Sequence, residues 1–398
     1  MEHLLERRRQ LIDRLRQYQT LASLNRSSFF SAHAAEIESL LSTALLVPLA
    51  ASAPRLTAFV RVAQWNLEKG KRFDQVLQRF ESDEVLRWAD VILLNEADLG
   101  MIRSGNRNVA GDLARELGMN LAFGPACLEL TKGTGEDRSC AGENRDSLQG
   151  NAVLSRYPIL EARIVRLAQC FEPFDFSEKR YGGRNCVWAR LQIGRSALWV
   201  GSTHLEVRNT PACRALQMDR LAASLPTPDR EPCLLGGDFN ANTFPRGTRL
   251  RTLAGAARLI WGPPARINAR LLHPERKEGL FAAAARSGFA HQGLNSPEPT
   301  ASAPLADLED IKWVPGRLHE YIRQRLTAYE GHLEMKLDWL LGRGIDALAE
   351  YEIRDPQTGV TSLNPGCLST TRTGPERISD HSPIFADIRL PGRGPAAV

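Results

Sequence analysis

The stretch CLLGGDFNAN, residues 233–242, begins as an apolar strand and continues into a segment with two glycines, an aspartate and two asparagines. A short apolar run bounded by glycine is typical of a buried β-strand. Asp238 and Asn240 are therefore predicted to lie where a rigid strand leaves the core. Polar groups held on a rigid scaffold at such a position indicate a binding or catalytic site.

Polar side chains also stand at the ends of the other predicted strands. Some follow apolar runs, as in WN, LLNE and STH, and others precede them, as in LDWLL and SDHSPI. These residues are Asn66, Glu96, His204, Asp338, Asp380 and His381. In an antiparallel sheet, the end of one strand and the start of its neighbour share an edge. The pattern therefore predicts that polar groups from distant parts of the chain converge on one rim.

Short strands alternate with helical segments along most of the chain. Gly194 opens a tight turn between two strands, which predicts an antiparallel hairpin. Helical periodicity covers 73–88, 108–117 and 211–224. These elements favour an α/β protein with mixed sheets covered by helices over a barrel or a bundle. The predicted strands are 59–66, 90–95, 151–155, 186–193, 197–204, 232–235, 337–341 and 383–390.

Two segments differ from this pattern. Residues 1–50 have amphipathic helical periodicity, which predicts an N-terminal helical extension that packs on the main domain or contacts a protein partner. The main domain is predicted at 55–391. Within it, the Arg- and Pro-containing stretch 251–335 is interpreted as a partly helical insertion near the strand ends, with one helical piece at 316–329.

Composition excludes some classes of protein. The 398 residues are 43% apolar but contain no apolar run long enough for a membrane span, and the first residues lack the apolar core of a signal peptide. The net charge of +5 mildly favours an anionic partner, although only seven of the 51 basic residues are lysine. Seven widely spaced cysteines without a C-x-x-C motif argue against a disulfide framework or a zinc site, and predict a reducing, cytoplasmic location.

The residue types at the predicted rim suit one kind of chemistry. Glu96, Asp238 and Asp380, with Asn66 and Asn240, offer hard oxygen ligands, which Mg²⁺ and Mn²⁺ prefer. Two histidines can transfer protons or stabilise charge. A metal, a base and cationic donors are the requirements for in-line hydrolysis of a phosphoester.

This constellation resembles the endonuclease/exonuclease/phosphatase superfamily, which has the deoxyribonuclease-I-like fold. The motifs WNLE, LLNE, GNAVLSRYPI, STHLE, GGDFNA, LDWLL and SDHSPI occur in the family's order over about residues 58–391. Each motif alone is common by chance, whereas seven in order at strand ends form a specific signal. The resemblance implies a four-layer sandwich of two mixed, largely antiparallel sheets flanked by helices.

The resemblance also implies roles for the metal and water-handling residues. Glu96 would be the principal metal ligand, with Asn66 beside it and Asp380 in or near the same site. Asp238 would orient or deprotonate the attacking water, and Asn240 would hold the scissile phosphate. Glu68, two residues after Asn66, is as readily a solvated neighbour as a member of the site.

The two histidines carry the remaining implied roles. His381 would contact the phosphate and pair with Asp338. His204 would bond the phosphate or the leaving oxygen. A histidine in STHL is similar to the deoxyribonuclease-I, sphingomyelinase, deadenylase and inositol-phosphatase branches, whereas the apurinic endonuclease branch carries a tyrosine. An abasic-site repair role is therefore not expected.

The substrate stays open at this stage. Arg107 and Arg184 lie in basic loops and are predicted to bind substrate, because guanidinium groups match phosphate oxygens. A nucleic acid, a nucleotide, a lipid headgroup and an inositol phosphate all remain candidates, with nuclease as the default. The alternatives are a sphingomyelinase-like lipid phosphodiesterase and a non-catalytic scaffold that docks a partner through residues 1–50.

Overall fold

The computed structural model describes residues 2–49, 52–225, 231–242, 244, 248–304, 320–321, 324, 327–329, 332–370 and 376–391. The α-helices of these residues are α1 Glu2–Arg16, α2 Leu21–Asn25, α3 Ser28–Ser42, α4 Phe73–Ser82, α5 Val109–Leu117, α6 Pro211–Ala223, α7 Arg249–Trp261, α8 Pro264–Leu272 and α9 Gly279–Arg286. The strands are β1 Leu45–Val47, β2 Val60–Asn66, β3 Val91–Leu99, β4 Asn120–Glu129, β5 Leu148–Ser155, β6 Ile159–Arg166, β7 Arg180–Gly182, β8 Asn185–Ile193, β9 Ser196–His204, β10 Cys233–Asp238, β11 Ala301–Pro304, β12 His332–Met335, β13 Asp338–Arg343, β14 Asp346–Ala347, β15 Gly366–Cys367 and β16 Ile384–Arg389.

The described strands form two large mixed sheets that pack face to face. The first has the order β1-β4-β5-β3-β2-β16-β14, with β7 paired to β4 and β15 paired to β16. The second has the order β13-β10-β9-β8-β6, and β11 and β12 form a separate pair. Within them, β2 runs parallel to β3 and β9 parallel to β10, whereas most other pairs are antiparallel. The sequence prediction of mixed, largely antiparallel sheets is confirmed.

Helices cover the outer face of each sheet and complete the four layers. Side chains of α4 and α5 pack on the first sheet, and side chains of α6 and α9 pack on the second. A layer of buried apolar side chains lies between the sheets and includes Val62, Leu93, Val200, Leu234 and Leu340. Burial of each such side chain contributes roughly 1.5–3 kcal/mol before the loss of chain entropy is counted. This inter-sheet layer holds the two halves of the site in register.

The two glycines before Asp238 are required by the packing of β10. A Cβ on Gly236 would lie 2.6 Å from side-chain atoms of Leu93 and Leu340, so this position touches the facing sheet. Gly237 has a φ of +149°, and a Cβ there would lie 1.7 Å from the carbonyl oxygen of Thr203. Only glycine permits this close approach of β10 to β9.

The N-terminal helices pack on the main domain. Apolar residues of α1 and α3, such as Leu15 and Ile37, are fully buried against Leu128 and Leu148 of the first sheet. Strand β1 then pairs antiparallel with β4 and ends the first sheet. Helices α1 and α3 therefore bury apolar side chains against the main domain.

Several strands appear where the sequence analysis assigns none. The alternation of β6 is weak, with half-buried residues on both faces, and β4 contains Gly124 and Pro125. The predicted hairpin at Gly194 is confirmed by the antiparallel pairing of β8 with β9. The insertion contains all but the first two residues of α7, together with α8, α9, β11 and β12, whereas most of the predicted helix 316–329 lies outside the described residues.

One disulfide bond departs from the sequence expectation of free thiols. Cys170, in the loop after β6, is bonded to Cys213 in α6, with Cα atoms 6.3 Å apart. The two positions are 43 residues apart, and only the tertiary packing brings them together. The argument from cysteine spacing against disulfide bonds is therefore wrong for this pair. Among the described helices, none combines the length and the apolar character that a membrane crossing requires.

Candidate active site

The predicted polar residues meet at one end of the sheet sandwich. The first sheet contributes Asn66 at the end of β2 and Glu96 in β3, and His381 lies just before β16. The second sheet contributes His204 and Asp338, which both pair with Asp238 in the register of β9, β10 and β13. The parallel strands β9 and β10 end where the antiparallel strand β13 begins. The topology therefore produces the rim that the sequence pattern predicts.

Hydrogen bonds across the gap between the sheets set the geometry. Asn66 Nδ2 donates to Asp238 Oδ2 at 3.1 Å, which joins the two sheets directly. Asn95 Oδ1 accepts from the backbone N–H of Asp238 at 2.8 Å, and its Nδ2 donates to the carbonyl oxygen of Thr203 at 3.0 Å. Gln64 Nε2 donates to Asp338 Oδ1 at 3.0 Å. These buried bonds fix the carboxylates, because a buried polar group without a partner is costly.

His381 and Asp338 form a close charged pair in the site. His381 Nδ1 lies 2.7 Å from Asp338 Oδ2, and Asp338 also accepts from Thr300 Oγ1 at 2.7 Å. Burial by itself would lower the pKa of His381, but the carboxylates of Asp338 and Asp238 raise it well above its usual value. His381 is therefore an imidazolium at neutral pH, with Nε2 3.7 Å from Asp238 Oδ2.

His204 is held in the opposite protonation state. Burial lowers its pKa well below the usual value, and the positive charges of Arg184 and His381 lower it further. Asn240 Nδ2 donates to the carbonyl oxygen of Leu205 at 3.0 Å and lies 2.9 Å from His204 Nε2. The first bond fixes the amide orientation, so His204 Nε2 accepts and its proton is on Nδ1. Nδ1 faces the Glu96 carboxylate at 3.9 Å.

Asp238 lies between the two imidazoles. Burial raises its pKa to about 7; the positive charge of His381 opposes this effect, and the negative charges of Asp338 and Glu96 add to it. Asp238 Oδ2 lies 3.3 Å from His204 Nε2, the nitrogen that accepts. Asp238 is thus poised to gain or lose a proton near neutrality, which is the property of an efficient general base.

Three carboxylates crowd the side of the site next to Asn66. Glu68 accepts at Oε2 from the backbone N–H of Asp380 at 3.2 Å, and its own N–H donates to Asn66 Oδ1 at 3.1 Å. Burial raises the pKa of Glu68, and the nearby charges of Asp380 and Glu96 raise it further. Glu68 therefore belongs to the site, a question that its sequence position leaves open.

This crowded side fits a hard divalent cation. A cation there would offset the mutual repulsion of the carboxylates, and the amide and carboxylate oxygens are suitable donors. Among the described residues, no group of three or more His, Cys, Asp or Glu side chains is arranged so that it could hold a metal ion. Mg²⁺ does not require one, because it keeps several waters and binds through one or two carboxylates together with substrate oxygens.

Backbone strain is concentrated at these residues. Glu68, Glu96 and Asn240 have φ values of 46°, 54° and 48°, which non-glycine residues rarely adopt. Glu96 lies in an irregularity of β3, where the pairing with β5 shifts between Leu94 and Ala97. The irregularity turns the Glu96 side chain away from the regular ladder. Such strain is typical of residues whose position serves function.

The two predicted substrate arginines differ in their placement. The Nε atom of Arg184 lies 3.6 Å from Glu206 Oε2, and the positive charge of Arg184 contributes to the lowered pKa of His204. The guanidinium of Arg107 instead lies over the ring of Phe73 and 3.6 Å from Asp74, on the surface of α4. Among the described residues, Arg184 is therefore close enough to His204 to act on a bound substrate, as predicted. The side-chain contacts of Arg107 are with Phe73 and Asp74 of α4.

A buried charge network beside Glu96 escapes sequence reasoning. Arg103 donates to Asp98 at 2.8 and 2.9 Å and to Glu129 at 3.0 Å, and all three side chains are fully buried. Lys69, next to Glu68, pairs with Asp137 at 3.0 Å. This network anchors the end of β3 behind Glu96. No local pattern could reveal it, because its members come from separate segments.

Comparison with known proteins places this geometry in a family. The profile described as "Endonuclease/Exonuclease/phosphatase family" matches residues 63–381, which is well over half of the chain. The chain belongs to the endonuclease/exonuclease/phosphatase family. The superfamily that the sequence motifs indicate is therefore confirmed. A search of curated proteins gives no match.

Several solved structures are similar to this member of the endonuclease/exonuclease/phosphatase family. The endonuclease/exonuclease/phosphatase from Beutenbergia cavernae DSM 12333 is 17% identical, with a TM-score of 0.47 and coverage of 84% of this chain and 72% of that chain. The protein from Bacteroides vulgatus is 13% identical, with a TM-score of 0.46 and coverage of 83% and 99%. The human Nocturnin catalytic domain with bound sulfate anion is 13% identical, with a TM-score of 0.44 and coverage of 87% and 96%.

Membership of the endonuclease/exonuclease/phosphatase family supports a hydrolase that acts on phosphoester bonds. The family as a whole is generally dependent on divalent metals, which agrees with the carboxylate-rich side of this site. Neither the substrate nor the ion follows from membership. Both have to be argued from the residues of this chain.

Proposed function

We propose that the chain hydrolyses a phosphoester by metal-assisted in-line attack of water. One observation carries the proposal: the buried carboxylate of Asp238 lies between the imidazoles of His381 and His204. Its Oδ2 is 3.7 Å from His381 Nε2 and 3.3 Å from His204 Nε2. A base, a cation and a neutral donor are therefore within reach of one bound phosphate.

The metal would be Mg²⁺ or Mn²⁺, held by Asn66, Glu96 and Asp380 with Glu68 beside them. When bound, such an ion polarises a phosphoryl group and stabilises the charge that develops on its oxygens. The support comes from the donor types and from the pKa of Glu68, which burial raises and the nearby carboxylates of Asp380 and Glu96 raise further. A bound cation would lower that pKa again.

The chain's own residues would handle the proton and the phosphate. Asp238 would take a proton from the attacking water onto a carboxylate oxygen. The imidazolium of His381, oriented by Asp338, would bind a phosphate oxygen through Nε2 as negative charge accumulates. Asn240 Nδ2 would hold a second phosphate oxygen in place of its bond to His204 Nε2. His204, whose Nδ1 carries its proton, would donate to the phosphate or to the leaving oxygen.

The histidine at position 204 supports the histidine-containing branch of the family. The default assignment is a nuclease or phosphodiesterase, and a phosphatase of a small substrate is the close alternative. Arg184 would contact further phosphate oxygens of any of these substrates, because its charge already reaches His204. A cytoplasmic location stays a prediction from the sequence.

A non-catalytic scaffold on the same fold is less well supported. Such a protein would not need a complete set of polarised groups, yet all the predicted catalytic residues converge here. The N-terminal helices also bury their apolar residues on the main domain. A protein contact through residues 1–50 stays a prediction.

The test is a substrate panel with the purified full-length chain. Plasmid DNA, single-stranded RNA, sphingomyelin, inositol phosphates and nucleotides are each incubated with Mg²⁺ and with chelator. Turnover should require the metal and return when the metal is restored. Asp238→Asn should lower kcat by about 10²–10⁴, the usual contribution of a positioned base. Glu96→Gln should raise the metal concentration that half-maximal activity requires.

The matched control is Asp346→Asn, an Asp on short strand β14 that is exposed and 3.6 Å from Arg389. Its kinetics should equal those of the wild type. Metal-independent turnover, or turnover that survives Asp238→Asn unchanged, would contradict the proposal. Absence of turnover on every substrate, together with tight capture of a partner by residues 1–50, would favour the scaffold.

A further inference from the structure

Helix α7 presents an apolar stripe to solvent. Leu250, Leu253 and Trp261 are 81%, 49% and 59% exposed. Together with Ala257, they are spaced by three or four residues, so they lie on one face of the helix. None of the α7 side chains that the structure describes is buried. Exposed leucine and tryptophan on one helical face are unusual enough to indicate an interaction surface.

The sequence segment that contains this stripe carries charge of one sign. Between residues 239 and 274 the sequence contains six arginines and no aspartate or glutamate. Of these, Arg251 and Arg258 are exposed on α7 and lie one helical position from the stripe, and Arg266 is exposed on α8. The chain as a whole carries only +5, so positive charge is concentrated here.

An aromatic pair completes the surface. Trp261 Nε1 donates to Tyr321 Oη at 3.3 Å, and both rings are exposed. Trp and Tyr side chains with an apolar body and a polar tip are enriched where hydrocarbon meets water. The stripe, the arginines and the aromatic pair are what a helix lying in the plane of a bilayer surface presents.

The surface connects closely to the proposed active site. Residues 239–248 lead from Asp238 directly into α7, and α8 continues to Leu271, whose carbonyl oxygen accepts from the backbone N–H of Lys336. Lys336 lies two residues before Asp338. On the other side of this segment, Ser302 of β11 donates its N–H to the carbonyl oxygen of Asp380 at 3.1 Å. Helices α7 and α8 therefore extend from the rim that holds the catalytic groups.

We infer that α7 docks on an anionic lipid bilayer, with Leu250, Leu253 and Trp261 in the headgroup and acyl boundary and the arginines on lipid phosphates. Charge complementarity favours this occupant, because segment 239–274 contains arginines and no carboxylates, and an anionic lipid surface would neutralise that positive charge. A nucleic acid would match the arginines but offers no apolar environment for two exposed leucines. A second copy of this chain would bring the same positive charge against itself.

The experiment is co-sedimentation of the full-length protein with vesicles. One preparation is phosphatidylcholine alone, and the other contains phosphatidylserine as well. Binding should require phosphatidylserine and weaken as salt is added. Arg251→Gln with Arg258→Gln should weaken it about thirtyfold, since each basic residue near an anionic surface is worth about 1 kcal/mol. Leu250→Ser with Trp261→Ser should weaken it about tenfold or more.

The matched control removes equally exposed apolar groups elsewhere. Leu216 on α6 and Tyr351 are 56% and 72% exposed, and the pair Leu216→Ser with Tyr351→Ser should bind as the wild type does. Thermal melting of each variant verifies that the fold is retained. The readout is binding, so it stands or fails separately from the proposed hydrolysis.

Four results would overturn the inference. The first is equal binding to both vesicle types, and the second is equal loss in the control pair. The third is tight binding to an oligonucleotide with none to vesicles, which would assign the surface to nucleic acid. The fourth is a dimer in sedimentation velocity that Leu250→Ser with Trp261→Ser dissociates, which would assign it to a second copy.

Discussion

Replacement of Asp338 by asparagine tests the electrostatics of the site with the smallest change in shape. Asp338 is fully buried and accepts from His381 Nδ1 at 2.7 Å, Thr300 Oγ1 at 2.7 Å and Gln64 Nε2 at 3.0 Å. Asparagine keeps one oxygen for His381 and Thr300 and removes the negative charge. We expect a large loss of kcat and a small loss of stability.

The magnitude follows from what the charge does. Burial alone would lower the pKa of His381, and the Asp338 carboxylate is the largest of the charges that raise it. Without that charge the pKa falls, and the imidazolium that would face the phosphate is depleted at neutral pH. Loss of a preorganised electrostatic donor costs about 10²–10³ in kcat, or roughly 2.7–4 kcal/mol of transition-state stabilisation. The free energy of unfolding should fall by only about 1–3 kcal/mol, the usual effect of a weakened charged hydrogen bond.

The assay is the pH dependence of kcat and KM on whichever phosphoester the panel identifies. Because the pKa of His381 falls in the variant, the fall of activity with rising pH should begin at a lower pH than in the wild type. The matched control is Asp90→Asn. Asp90 is also fully buried and accepts from the backbone N–H groups of Arg55 at 2.8 Å and Leu56 at 3.1 Å, away from the rim. Its kcat per folded molecule should equal that of the wild type.

Two results would refute the reasoning. A kcat near that of the wild type in Asp338→Asn, at an unchanged melting temperature, would show that the imidazolium is not needed. An equal loss in Asp90→Asn would show that the effect comes from the fold. An unshifted pH profile with a lowered kcat would assign Asp338 to positioning alone.

Three further predictions address stability and substrate binding. Asp355→Asn should lower the free energy of unfolding at pH 7 by about 3 kcal/mol. Burial alone would raise the pKa of Asp355, but backbone N–H donors, including those of residues 57, 58 and 358, hold it well below 3.8. In denaturant titrations, the wild type should keep this stability above about pH 4 and lose it as the pH falls, whereas the variant should show no such loss. Cys213→Ser should lower the free energy of unfolding by about 4 kcal/mol from loop entropy, since the bond to Cys170 closes a span of 43 residues, and a reducing agent should affect only the wild type. Arg184→Ala should raise KM for the substrate about tenfold, as expected for a lost charged hydrogen bond, whereas Arg107→Ala should leave KM unchanged in the same assay.

The sequence by itself determined the order and type of the elements that carry the site. The apolar runs before Asn66, Glu96, His204 and Asp238 read as strands because side chains alternate and the runs are bounded by turn residues. The structure has strands at each of these places. Family motifs could be recognised for the same reason, since each is confined to a few consecutive residues. Local patterns are therefore enough to locate the strand ends that carry the candidate site.

Strands β4 and β6 were not predictable in this way. β4 contains glycine and proline, which weaken a strand pattern, and it is a strand because β1, β5 and β7 pair with it. β6 lies at the edge of the second sheet and has no cleanly alternating face. Pairing with a distant partner overrides a weak local preference.

Only the tertiary structure decided the chemical state of the site. His204 and His381 are both histidines at strand ends. Burial lowers the pKa of both, but neighbouring positive charges lower that of His204 further, whereas the carboxylates of Asp338 and Asp238 raise that of His381. Glu68 lies beside the candidate site because it accepts from the backbone N–H of Asp380, which is far away in the sequence. Arg107 lies instead on the surface of α4, next to Asp74. A protonation state depends on desolvation and on neighbours in space, and both exist only once the sheets have packed. The apolar stripe of α7 has the same origin, because a sequence pattern marks a helical face without stating whether anything covers it.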